Sequence, residues 1–127
     1  MHAFLIDPFT RTVTRVERKD TNSPRKRLLE IYSLIDCVTI DAVRPSEAHG
    51  DVFYVDDEGQ LRNEQAWFFC RLFPHQAFGG KVLWVGTTAD GNDRDPRCSL
   101  DYVSAHIVWL ADIGTGLLPV NAKGEPL

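Results

Sequence analysis

One segment of this chain carries a full set of helix signals, and the segments around it are typical of strands. Ser23 can accept hydrogen bonds from the free N–H groups of a first helical turn, and Pro24 suits the first helical position. Apolar side chains then recur at helical spacing, at Leu28, Ile31, Tyr32 and Ile35. The pattern predicts one main helix over about residues 24–35, so the fold must combine a single principal helix with a sheet.

Short β segments account for most of the remaining sequence. Strands are predicted over residues 3–6, 12–17, 37–43, 52–55 and 81–87. The acidic run Asp56–Glu58 followed by Gly59 predicts a hairpin turn in which glycine supplies a positive φ. The chain is therefore predicted to be an α+β domain over residues 1–113, with a small mixed or antiparallel sheet of about five or six strands.

Three later segments are less clear in sequence. Asn63 can cap a short second helix over about residues 64–72, which Pro74 would end. Residues 102–110 alternate as a strand does, although Ser99 could cap a helix there; we favour the strand because β-branched and aromatic residues dominate. Residues 114–127 are rich in glycine, proline and isolated polar residues, which predicts an irregular tail.

Composition excludes several classes of protein. The net charge of −4 argues against a protein that coats duplex DNA. Three cysteines without a C-x-x-C pair indicate neither a disulfide framework nor a cysteine-based zinc site. No apolar run is long enough for a membrane span, and Asp7 interrupts the N-terminal apolar run too early for a signal peptide. We expect a protein of the cytoplasm of a host cell.

Basic residues concentrate near the N-terminus. Residues 1–27 hold seven basic and three acidic side chains, although the chain as a whole is acidic. Arg25, Lys26 and Arg27 fall in the first turn of the predicted helix, where the helix dipole disfavours cations but favours a bound anion. Arg15 and Arg18 could join them in one anion site. The alternative is a solvated basic turn without a ligand.

Aromatic residues cluster between residues 67 and 78. Most of them should fill the core, since a domain of this size needs large side chains between its layers. A surplus, near Trp67 or Phe78, could form a protein interface or a surface on which a base stacks. The apolar strands at residues 81–87 and 102–110 should leave edges and apolar faces that so small a domain cannot easily cover alone, which predicts a homo-oligomer and favours a homodimer.

Catalytic and metal signatures are absent from the sequence. Cys98 could be paired with His75 or His106 as nucleophile and base, with Asp101 orienting the base, but no motif supports this and Cys98 is interpreted as a packed thiol. The loop at residues 90–95 lacks the glycine and the final glutamate of a calcium loop. The four histidines show no ligand spacing. We predict no catalytic residues, no cofactor and no metal.

Four pieces of sequence resemble a known family. They are Asp7-Pro8 with its flanking strands, the helix end at residues 31–37 running into residues 40–43, the segment at residues 54–61, and residues 80–86 followed by Gly91 and Cys98-Ser99-Leu100. The pattern is similar to that of a family of small domains of unknown function found mostly in phage, prophage and plasmid genomes. The resemblance covers about residues 3–103 and implies a genomic setting without an activity.

These observations favour a non-enzymatic binding protein of a phage or mobile element. Such a protein could act as an anti-defence or host-takeover inhibitor, either by sequestering a nucleotide-type ligand or by blocking a host protein. The basic helix start near aromatic residues favours the nucleotide. The alternatives are a small Cys/His-dependent hydrolase and a structural oligomer subunit.

Overall fold

The predicted main helix is present as α1 (Pro24–Ile35) in a computed structural model that describes residues 1–127. The Ser23 hydroxyl accepts a hydrogen bond of 3.3 Å from the Lys26 N–H, as the capping signal predicts. The helix ends at Asp36, whose backbone lies in the left-handed region with φ of 54°. Ile31 and Ile35 are its buried residues, so one narrow face holds the helix against the sheet.

Ten strands and a second, short helix complete the chain. In chain order the strands are β1 (His2–Asp7), β2 (Thr12–Glu17), β3 (Ile40–Val43), β4 (Val52–Asp56), β5 (Trp67–Cys70), β6 (Phe73–Gly79), β7 (Val82–Thr87), β8 (Asp93–Arg94), β9 (Ile107–Asp112) and β10 (Leu117–Val120). The second helix is α2 (Leu100–Ala105), and a single 3₁₀ turn spans Gly59–Leu61. Neither α-helix is long and apolar enough to cross a membrane.

The strands form two antiparallel sheets. The first has six strands in the order β2-β1-β7-β4-β3, with the short β8 paired to the end of β7. The second has four strands in the order β10-β9-β5-β6. Two sheets with one main helix confirm the predicted α+β class.

Three layers result from this arrangement. Helix α1 packs on one face of the six-stranded sheet through Ile31 and Ile35, which contact Leu83 and Val85 of β7 in one apolar cluster. The opposite face packs against the four-stranded sheet in a second cluster, which includes Phe53, Phe68, Phe78 and Trp84. Every residue of β7 is buried, because this strand is central in its sheet and covered on both sides.

The predicted second helix over residues 64–72 is wrong, because part of that segment forms strand β5. Phe68 and Cys70 alternate inward and are fully buried between β6 and β9, so pairing on both sides overrides the local helical spacing. Residues 99–110 combine the two alternatives: Ser99 caps α2, and a strand begins at Ile107. The segment predicted as an irregular tail contains β10, which pairs with β9.

Two further expectations were wrong for reasons of packing. Strand β7 offers no uncovered edge, because β1 and β4 pair with its two sides. Gly59 opens a 3₁₀ turn instead of closing a hairpin. Its lack of a side chain has a steric reason, since a Cβ atom there would lie 2.4 Å from the carbonyl oxygen of Gly79.

Candidate ligand-binding cleft

The residues predicted to form one anion site lie in three different surroundings. Arg25 and Lys26 are exposed in the first turn of α1. Lys26 borders a groove of about 450 Å³ between α1 and the end of β2. Arg27 borders a separate cavity of about 190 Å³ beside Tyr54 and Asn92. The basic triplet therefore diverges, and it does not converge on a single pocket.

Arg18 is internal, which corrects its assignment to an anion site. Its side chain is 0% exposed, and it forms ion pairs of 2.7 Å with Glu30 of α1 and 2.5 Å with Asp93 of β8. Desolvation alone would lower the pKa of Arg18, but the hydrogen bonds to Asp93 and Glu30 outweigh it and raise the pKa. Arg18 thus joins the end of β2 to α1 and β8, whereas Arg15 pairs on the surface with Glu17.

The aromatic candidates are similarly divided. Phe78 is 3% exposed and stacks on Phe68 with ring centroids 5.3 Å apart, so it fills the core and offers no stacking surface. Trp67 is half-buried in β5. An exposed aromatic ring lies elsewhere, because Phe9 in the turn between β1 and β2 is 53% exposed.

Cys98 is a packed thiol, as predicted. It is buried, and its Sγ atom donates to the carbonyl oxygen of Ala48 at 3.4 Å. Desolvation and the neighbouring carboxylate of Asp51 raise the pKa of Cys98 to about 12. The thiolate needed for nucleophilic attack is therefore scarce at neutral pH. His106, one of its suggested partners, contacts the Tyr102 carbonyl oxygen through Nδ1 at 2.7 Å.

Asp51 holds the loop before α2 in place. Its buried carboxylate accepts hydrogen bonds from the Trp84 indole at 2.8 Å and from the backbone N–H groups of Arg97 and Cys98 at 2.9 and 3.0 Å. Those partners satisfy the charge without a ligand. In the acidic loop nearby, Asp93 is already paired with Arg18 and accepts from the Tyr54 hydroxyl at 2.6 Å. No group of three or more His, Cys, Asp or Glu side chains is arranged to hold a metal ion.

A polar cleft of about 390 Å³ lies where the ends of several elements meet. Asp7 at the end of β1, Asp36 at the end of α1, Asp56 at the end of β4 and Lys81 before β7 all line it. These four residues belong to the four sequence segments that carry the family resemblance. The fold thus brings together segments that are distant in sequence, and we call this cavity the polar cleft.

Two ion pairs divide the charges of the polar cleft. Lys81 Nζ lies 2.5 Å from Asp36, and Arg62 Nε lies 2.6 Å from Asp56. The hydrogen bond to Asp36 raises the pKa of Lys81, and the bond to Asp56 raises the pKa of Arg62, so both cations keep their charge at neutral pH. The side chains of Lys81 and Arg62 remain 25% and 44% exposed, so a ligand can reach them.

Close backbone packing shapes the wall of the polar cleft. Gly79 and Gly59 approach so closely that a Cβ atom on Gly79 would lie 2.6 Å from the Gly59 carbonyl oxygen. Gln65 donates to that same oxygen at 2.6 Å, and its side chain covers Gly80, whose φ is +91°. This packing fixes the 3₁₀ turn and Arg62 beside the start of β7.

Phe9 completes the polar cleft at its rim. The Asp7 carboxylate accepts from the backbone N–H groups of Phe9 and Thr10 at 2.9 and 3.3 Å, which fixes the turn that carries the ring. The cleft therefore combines one exposed aromatic face, two cations and three carboxylates. This set can bind a ligand that carries an aromatic system, an anionic group and hydrogen-bond donors.

The helix and the two antiparallel sheets define a small three-layer α+β domain that carries the polar cleft where its elements end. The chain belongs to a family described as a domain of unknown function (DUF3846), whose model matches residues 1–106. All residues of the polar cleft lie within the matched region, whereas β9 and β10 lie beyond it. No curated protein and no solved structure gives a significant match to the chain.

Proposed function

We propose that this protein is a non-enzymatic binding protein that sequesters a nucleotide-type ligand in the polar cleft. The observation that supports the proposal is the presence of Phe9, Arg62 and Lys81 around one cavity of about 390 Å³. An exposed ring suits stacking with a base, and the two cations suit a phosphate group. The site differs from the helix start that the sequence favours.

The carboxylates restrict the class of ligand. Asp7, Asp36 and Asp56 together outnumber Arg62 and Lys81, so a highly charged triphosphate would meet repulsion in the polar cleft. A nucleoside monophosphate or a cyclic nucleotide carries less charge, and its hydroxyl and amino groups can donate to the carboxylates. We therefore propose that such ligands bind more tightly than ATP.

The biological setting of the proposal rests on the resemblance to proteins of phages, prophages and plasmids. A cytoplasmic protein of a mobile element that holds a signalling nucleotide would act as an anti-defence or host-takeover inhibitor by lowering the free concentration of that nucleotide. Blocking a host protein is the alternative, which a failure to bind any nucleotide would favour.

Isothermal titration calorimetry with AMP, cyclic AMP, a cyclic dinucleotide and ATP tests the proposal. The Lys81→Gln substitution should weaken binding of the best ligand by about tenfold to a hundredfold, because a charge-assisted hydrogen bond is worth about 1.5–3 kcal/mol. Phe9→Ala should weaken it by a similar factor, because stacking is worth about 1–3 kcal/mol per base. Chromatography of the recovered ligand should show it chemically unchanged.

The Arg25→Glu/Lys26→Glu variant is the matched control, since it removes two cations from the helix start and leaves the polar cleft intact. It should bind the ligand as the wild type does. Loss of binding in this variant alone would show that the ligand binds at the helix start and not in the polar cleft. Binding of no nucleotide at all, or recovery of a chemically altered ligand, would refute sequestration.

A further inference from the structure

The outer face of the four-stranded sheet has no covering layer. Strand β5 turns Phe68 and Cys70 into the core, so Phe69 points away from it. Residues of β5, β9, β10 and the C-terminus then form one open apolar surface: Phe69, Val108, Leu110, Leu117, Pro119 and Leu127. Leu117 is 38% and Leu127 is 77% exposed. We call this surface the outer sheet face.

Charge on the outer sheet face is balanced and placed at its two ends. Arg71 follows β5, whose residue Cys70 pairs with Ile107 at the start of β9. Asp112 ends β9 about 17 Å away, on the same side of the sheet as Val108 and Leu110 because side chains alternate. Both residues are exposed, and neither forms an ion pair within the chain.

We propose that a second copy of this chain docks on the outer sheet face. A two-fold axis perpendicular to the strands would place the two apolar surfaces together and bring Arg71 of each protomer to the partner's Asp112. Each interface would then contain two ion pairs between copies, as a symmetric interface requires. The Arg71–Asp112 pairs also let two acidic chains, each of net charge −4, approach on a surface where opposite charges attract.

The size of the face sets the strength of the dimer. Four strands about 4.8 Å apart and on average about five residues long cover roughly 19 by 17 Å, so two copies bury roughly 650 Å² of flat area. Stable interfaces bury about 1,200–2,000 Å², and weak ones fall below that range. We therefore expect a weak dimer with a dissociation constant in the micromolar range.

Sedimentation velocity over about 1–500 µM tests this inference, since micromolar dimers dissociate within that range. The wild type should change from a 14.4 kDa species to one of twice that mass as its concentration rises. Leu110→Glu should raise the dissociation constant at least tenfold, because it would bury a charge against the partner. Val38→Glu is the matched control; Val38 is 70% exposed outside this face, and the variant should dimerise normally.

Charge reversal provides a second test that leaves the core untouched. Arg71→Glu should weaken the dimer several-fold, and Arg71→Glu/Asp112→Arg should restore it, because the pair is re-formed with opposite signs. The proposal is overturned if the wild type stays monomeric at the highest concentration. It is also overturned if Leu110→Glu dimerises normally or if the double variant is no tighter than Arg71→Glu alone.

Discussion

Replacing Arg18 by methionine distinguishes a structural role for this residue from a ligand-binding one. The Arg18 side chain is 0% exposed, and its partners Glu30 and Asp93 are only 14% and 8% exposed. Removing the cation would leave two largely buried carboxylates without their counter-charge. Breaking a buried ion pair from one side costs about 3–5 kcal/mol of the free energy of unfolding.

That loss should appear clearly in thermal unfolding. A change of 1 kcal/mol shifts the Tm of a domain of this size by about 4 °C, so Arg18→Met should lower the Tm by about 12–20 °C. Arg15→Met is the matched control, because the Arg15–Glu17 pair is exposed and exposed pairs are worth about 0–1 kcal/mol. Circular dichroism melting curves of the two variants provide the comparison.

A rescue experiment tests the mechanism of the loss. Glu30→Gln and Asp93→Asn, added to Arg18→Met, remove the uncompensated charges and should recover more than half of the lost stability. If Arg18→Met lowered the Tm no more than Arg15→Met, Arg18 would not be the internal ion-pair centre described above. A rescue variant as unstable as Arg18→Met would instead show that packing, and not charge, dominates.

Four further predictions concern packing, protonation and the role of Cys98. Asp51→Ala should lower the free energy of unfolding by about 3 kcal/mol in urea titrations, because it leaves the buried N–H groups of Trp84 and Cys98 and the partly buried N–H of Arg97 without an acceptor. Gly79→Ala should lower the free energy of unfolding by about 1–3 kcal/mol, because its Cβ would lie 2.6 Å from the Gly59 carbonyl oxygen. Gly116→Ala is the control and should leave stability unchanged, because nothing lies within 4 Å of that Cβ position. Burial raises the pKa values of Cys37 to about 11 and of Cys98 to about 12, from an ordinary 9.0. The free energy of unfolding should therefore fall as pH rises above about 9, because only the unfolded thiols ionise there. Cys98→Ala should still bind ligand normally.

Local signals in the sequence were sufficient for the parts of the fold that local chemistry decides. Ser23 and Pro24 fix the start of α1 because a cap and a first-turn proline act within a few residues. The Asn63 cap and the Pro74 stop misled the helix assignment over residues 64–72, because the strand conformation of that segment depends on β9, nearly forty residues later in the chain. Ser99 signalled α2 correctly, but the strand residues that follow it obscured the short helix.

The candidate site was harder to predict because its parts come from separate segments. Arg18 and the basic triplet are close in sequence, but Arg18 meets Asp93, which lies 75 residues away. The polar cleft draws Asp7, Asp36, Asp56 and Lys81 from four elements. A usable signal was present, since each segment of the family resemblance carries a charged residue at the end of a strand or helix. Only the sheet order shows that those ends meet.

The central position of β7 has a consequence for the growing chain on the ribosome. Phe4–Ile6 of β1 pair with Val82–Trp84, and the buried face of α1 packs on Leu83 and Val85. The edge of β1 and the apolar face of α1 therefore stay uncovered until β7 has been synthesised. A chain halted before that strand would expose a sheet edge and an apolar helix face together. We expect such truncated chains to be captured by chaperones and degraded, which pulse-chase measurement of chains ending before and after β7 would reveal. The core can therefore form only late in synthesis, because β7 contributes buried residues to both apolar clusters.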